Sequence, residues 1–156
     1  MRLVGGQALI KTIQKQVKDL EKEIGLKRRE IARFLIEAML QRTPVWSGDT
    51  AGSYFVSNGG GSSGRKHTHK PNERGTNFMP LGKRAEKYAG AAWAKSLATT
   101  TGVDYSLERP VHVMNDSDIW ADIDSGLLPK GRARNPGGVS DIALMRTKNK
   151  FKGILK

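Results

Sequence analysis

The chain has 156 residues, no cysteine, 18 glycines and a formal net charge of +12, with 37% apolar residues. That length fits one domain with a modest core. The absence of cysteine excludes disulfide scaffolding, thiolate nucleophiles and cysteine-ligated metal sites. No apolar run reaches the length of a membrane span or signal peptide, so a soluble protein made in the cytoplasm is expected.

The positive charge is unevenly spread. Residues 1–58 hold ten Lys/Arg and six Asp/Glu (+4); 59–80 hold four and one (+3); 81–126 hold five and seven (−2); 127–156 hold eight and one (+7). A Gly/Ser-rich loop and a C-terminal tail thus carry ten of the twelve charges. The pattern predicts basic appendages on a nearly balanced body.

Ile10, Ile13, Val17, Leu20 and Ile24 recur at 3-4-3-4 spacing, and Ile31, Leu35 and Ala38 carry the stripe on. This predicts a long amphipathic α-helix. Lys11, Lys15, Lys18 and Lys22 read as its solvated flank, and Glu23–Lys27 has the favourable i,i+4 order. Gly25 marks a kink or a break, and one long bent helix is the preferred reading because the stripe keeps its phase. Pro44 ends the helix, since the residue before a proline is displaced from the α region. Gly48 and Gly52 suit a tight turn, and Tyr54-Phe55-Val56 has the content of a strand. Residues 57–80 read as a flexible loop.

A second helix is expected over 81–100, closed by Gly102. Pro110–Met114 reads as a strand, and Asp118–Ile123 as a short helix with Asn115 or Asp116 at its N-terminus and Gly126 at its end. Beyond Leu128 the chain reads as an extended basic arm whose apolar cluster, Ile142–Met145, is suited to docking on the body or on a neighbour. The expected class is α+β: the long helix packed on a small sheet, a second helix, one domain over 1–128 and an arm over 129–156.

Chemistry-bearing patterns are weak. Gly59–Lys66 departs from a phosphate-binding loop, because Arg65 and Lys66 stand where Lys and Ser/Thr are needed. His67, His69 and His112 have no companions at metal-ligand spacing. Asp116, Asp118, Asp122 and Asp124 read as caps and flanks of the short helix rather than paired catalytic carboxylates. Ser47 and Ser53 have no histidine base nearby in sequence. Trp93 and Trp120 read as packing residues, with base stacking as the alternative; Trp46 is the least constrained. No catalytic residue, metal or cofactor is expected.

The segment Thr43-Pro44-Val45-Trp46-Ser47-Gly48, with Ser53-Tyr54 following, resembles a junction in the small tail-completion or head–tail joining (neck) proteins of tailed phages. That family includes relatives of the lambda minor tail protein Z. Its members carry a long N-terminal helix, a Thr-Pro-Val-Asp-Thr-Gly-like turn into a strand, and later a Tyr-Ala-x-x-Val-Glu-x-Gly-like segment. Here Trp46 stands at the usual Asp and Ser47 at the Thr. Trp120-Ala121-Asp122-Ile123-Asp124-Ser125-Gly126 is similar to the later segment with one residue fewer. The likeness covers residues 10–57 and 108–128; the 57–107 insertion and the basic tail depart from it.

The resemblance implies a structural, non-enzymatic virion protein: a homo-oligomeric ring at the head–tail junction, contacting portal, connector or adaptor proteins and tail proteins, with DNA in the channel as a further candidate partner. The motif residues are Thr43, Pro44, Val45, Gly48, Ser53, Trp120, Ala121 and Gly126. Candidate DNA or inter-subunit contacts are Arg65, Lys66, Lys70, Arg132, Arg134, Lys148, Lys150 and Lys152. The alternative is a small basic nucleic-acid-binding protein that uses the 57–80 loop and the tail as arms.

Overall fold

A computed structural model describes residues 6–43, 49–61, 81–118, 120–126 and 138–154, with the backbone alone at 49 and 81–89. It is α+β. Helix α1 (Gly6–Leu40) is followed by a single helical turn α2 (Asp49–Gly52) and strand β1 (Tyr54–Ser57). Then come α3 (Leu81–Ala98), β2 (His112–Asn115), α4 (Trp120–Ser125) and α5 (Val139–Lys150). β1 and β2 form an antiparallel pair with Tyr54 opposite Asn115, Phe55 opposite Met114, Val56 opposite Val113 and Ser57 opposite His112. None of the helices among the described residues is long and apolar enough to cross a membrane.

α1 is one continuous helix through Gly25, as the unbroken phase of its apolar stripe requires. Its division of labour differs from the sequence expectation. Only the C-terminal part is buried, through Ala32, Ile36, Ala38, Met39 and Leu40. The stripe from Ile10 to Leu20 is exposed to solvent and does not pack on the sheet. Periodicity shows which residues share a face; it does not say what covers that face. Lys11, Lys15, Lys18 and Lys22 are exposed, as expected of a solvated flank. Lys27 pairs with Glu30 at 3.0 Å.

The core joins that buried end of α1 to Ala51, Tyr54 and Val56, to Ala92 of α3, to Tyr105 and Ile123, and to Val139 and Ala143 of α5. α3 holds the outer edge of the small sheet. Ser96 Oγ donates to Ala51 O at 2.7 Å, and the Val56 N–H donates to Thr99 Oγ1 at 3.2 Å. Thr99 and Thr100 donate to the carbonyls of Ser96 and Leu97, closing the last turn of α3 with their own side chains. The loop from 104 to 110 is tied at both ends. Asn58 exchanges hydrogen bonds with the Asp104 backbone (2.6 and 2.9 Å) and donates to Pro110 O at 3.0 Å. Arg28 of α1 donates to the carbonyls of Tyr105 (3.0 Å), Ser106 and Arg109 (2.7 Å). Asn58 therefore belongs to the body and not to a flexible loop; residues 62–80 lie outside the described set.

The C-terminal region also departs from expectation. Residues 139–150 are not an extended arm but a helix packed along α1, so the folded body runs on to Ile154. The reason lies in its small residues. Val139, Ala143, Thr147 and then Phe151 recur every four positions and are buried, while the larger Leu144 and Met145 face outward. Phe151 meets Phe34 edge to face at 5.8 Å, Lys150 lies 4.1 Å over the Phe34 ring, and Arg146 donates to Gln41 Oε1 at 2.7 Å.

Candidate functional site

The segments around Thr43–Tyr54 and Trp120–Gly126 meet in the fold. Thr43 leaves the end of α1 buried, and its hydroxyl donates to Met39 O at 2.9 Å. With its only proton so used, Thr43 Oγ1 accepts from the fully buried Tyr54 hydroxyl at 2.6 Å. The Tyr54 ring packs edge to face on Trp120, the first residue of α4, at 5.2 Å and 77°. The end of α1, the first residue of β1 and the start of α4 are thereby locked through one tyrosine. Burial, with the Asp124 carboxylate adding to it, pushes the Tyr54 phenol well above its ordinary value.

A buried polar seam runs beside this lock. Asn115 Nδ2 donates to Thr50 O at 2.8 Å, while its Oδ1 accepts from the Ser117 N–H at 2.9 Å. Thr50 Oγ1 and Ser117 Oγ lie 3.1 Å apart, and the Asp116 N–H donates to Ser53 O at 3.4 Å. These bonds satisfy the backbone of the α2–β1 corner, which would otherwise be buried without water. Ser53 is buried at that corner. Gly52 has ordinary right-handed backbone geometry, and an added Cβ there would touch Ala92 Cα at 3.8 Å. That is ordinary van der Waals contact, so neither a positive φ nor a close approach demands glycine here, where the sequence suggested a tight turn.

At the other end of α4, Gly126 takes a positive φ of 77° and donates to Ile123 O at 3.2 Å, ending the helix as expected. Asp124 then serves the next helix. Its carboxylate accepts from the Ser140 N–H at 2.9 Å and from the Ser140 hydroxyl, and its carbonyl accepts from the Gly138 N–H at 2.6 Å. Asp124 thus caps α5 from outside that helix, matching its negative charge to the positive end. Its sequence role, flanking the short helix, was legible only as an acid near a helix end.

Ala121 is exposed, as are Lys148, Lys150 and Lys152. Lys150 is partly engaged with the two phenylalanine rings. Lys148 and Lys152 stand four positions apart across the end of α5 and its following turn. Pro44, Val45, Gly48, Arg65, Lys66, Lys70, Arg132 and Arg134 lie outside the described residues, as do Trp46, His67 and His69. Among the described residues no three His, Asp or Glu side chains gather in a metal-binding arrangement. Asp118 and Asp122 are exposed. An open groove of about 460 Å³ lies between α1 and the 105–108 loop, lined in part by Lys18, Lys22, Gly25 and Tyr105.

Two anchoring residues, Arg28 and Asn58, carried no motif signal. A lone Arg on a helix flank and an Asn at a strand end look ordinary in sequence, and their partners are carbonyls about 50 to 80 positions away. Compared with protein-family models, curated proteins and solved structures, the chain matches none of them.

Proposed function

We propose that this chain is a structural virion protein of a tailed bacteriophage, acting as a ring-forming subunit at the head–tail junction. The observation that carries the reading is the packing of the two resembling segments on each other through Thr43, Tyr54 and Trp120. The exposed Leu144 and Met145 of α5 supply apolar surface for neighbouring subunits, and a rotationally closing head-to-tail contact between copies makes a ring. The test is localisation: purified particles of the phage that encodes this chain are expected to contain it in multiple copies at the neck. Particles complete without it would refute the reading.

A nucleic-acid-binding role is the second reading, favoured by the exposed Lys148 and Lys152 on an ordered part of the surface. It calls for DNA affinity that falls steeply with added salt and weakens in a Lys148→Ala/Lys152→Ala variant.

A further inference from the structure

We infer that the exposed stripe of α1 is a self-association seam, occupied by the same stripe of a second copy in a parallel, in-register helix pair. Leu9, Ile10, Ile13, Val17 and Leu20 are 62%, 55%, 49%, 49% and 57% exposed, and they lie along one stretch of a helix whose buried residues begin at Ala32. From Ile10 to Ile24 the stripe runs roughly 21 Å at about 1.5 Å per residue. A contiguous apolar strip of this kind on a folded protein marks an interaction surface.

Three observations identify the occupant. The first is spacing. Ile10, Ile13, Val17, Leu20 and Ile24 repeat every 3.5 residues, the period at which a helix keeps one seam toward an identical helix. Ile10, Val17 and Ile24 take the first core position of each heptad, and Ile13 and Leu20 the second; β-branched residues at the first with Leu at the second favour parallel pairs, a pattern that Leu20 meets and Ile13 does not. The second is charge. A parallel in-register pair over Ile10–Ile24 sets Gln16 beside Glu21 of the other copy, so no like charges meet along those turns; the seam ends there, because Lys27 takes the next core position and Arg28 is held on the carbonyls of the 105–109 loop. Lys11, Lys15, Lys18 and Lys22 fall on the outer positions and stay in water.

The third observation is what the chain itself can supply. Ile31 and Ala38 continue the stripe; one turn on, Phe34 packs on Phe151 just past α5, and Gln41, itself exposed, accepts from Arg146 of α5. The same side of α1 is thus helix-covered at its C-terminal end and bare at its N-terminal end among the described residues. Outside those residues, the longest stretch, 62–80, contains only Phe78 and Met79 as large apolar residues. Residues 127–137 add only Leu127 and Leu128. Neither has the composition to bury five seam positions. A second α1 does.

This seam goes beyond the virion reading and does not depend on it. The chain has no cysteine, so single-cysteine variants of the full chain test the seam directly. Under mild oxidation Val17→Cys and Leu20→Cys are expected to form disulfide-linked dimers, whereas Lys15→Cys, on the outer face, is not. In sedimentation, the native chain is expected to gain mass with concentration, and Ile13→Lys/Leu20→Lys to weaken that association by about 100-fold or more, because the seam would then bury unpaired charge. Both substitutions are on exposed positions, and unchanged circular dichroism will show that the fold is kept. Absence of Val17 and Leu20 cross-links above the Lys15→Cys background would overturn the seam. So would self-association unaffected by the two lysines; that second result points instead to a contact elsewhere, and would leave the ring reading standing. Cross-linking by a chain absent from particles would sustain the seam and refute the virion role.

Discussion

Tyr54 lies fully buried between the end of α1 and the start of α4. It ties Thr43 at the end of α1 to Trp120 at the start of α4, and its hydroxyl has a single-proton partner in a region without solvent. Tyr54→Phe keeps the ring contact but loses the phenol–Thr43 bond, and is expected to cost about 1 kcal/mol in denaturant unfolding. Trp120→Ala removes the edge-to-face partner from a half-buried site, and a loss of roughly 2–3 kcal/mol is expected, below a fully buried tryptophan. The raised Tyr54 phenol gives a pH signature. The folded state favours the protonated form more than the unfolded chain does. Its contribution is therefore complete below the unfolded value near pH ~10 and is lost as pH rises toward the folded one. Thermal melts should fall above about pH 10, and Tyr54→Phe should fall less steeply from its lower starting point.

At the scale of elements, α1, β1, α3, β2 and α4 were legible from period, breakers and caps, because each presents its large apolar residues where a local pattern places them. α5 was not. Its buried face is Val139, Ala143 and Thr147, small side chains whose burial depends on close approach to α1, while Leu144 and Met145 point outward. The single turn α2 is too short to leave a periodic signal, and Gly48 and Gly52 made the stretch after the Pro44 helix stop read as a turn alone. Half of the candidate site was equally visible: Thr43 and Trp120 were identified by motif, but their meeting through Tyr54 is a long-range contact that no local pattern encodes. Two element-level tests follow from the anchors. Arg28→Ala frees three carbonyls of the 105–109 loop, with an expected cost of about 1–2 kcal/mol and faster amide exchange across that loop. Gly138→Ala places a side chain at φ 62°, just before α5, and should cost about 1 kcal/mol.

For the molecule as a whole, the structure redraws where charge and apolar surface lie. The basic C-terminal region is in part a docked helix, so Lys148 and Lys152 are held on the body rather than carried on a free arm. The long helix serves two ends: Ala32–Leu40 build the core, and Ile10–Leu20 remain bare. The bare Ile10–Leu20 stripe is the surface on which we propose that a second copy pairs. The most direct test of the structural virion reading is cryo-electron microscopy of purified particles from the phage encoding this chain, with mass spectrometry of the same sample. A closed ring of this chain between portal and tail is expected, with Tyr54 and Trp120 inside each subunit. Intact, infectious particles in which the chain is undetectable would contradict it.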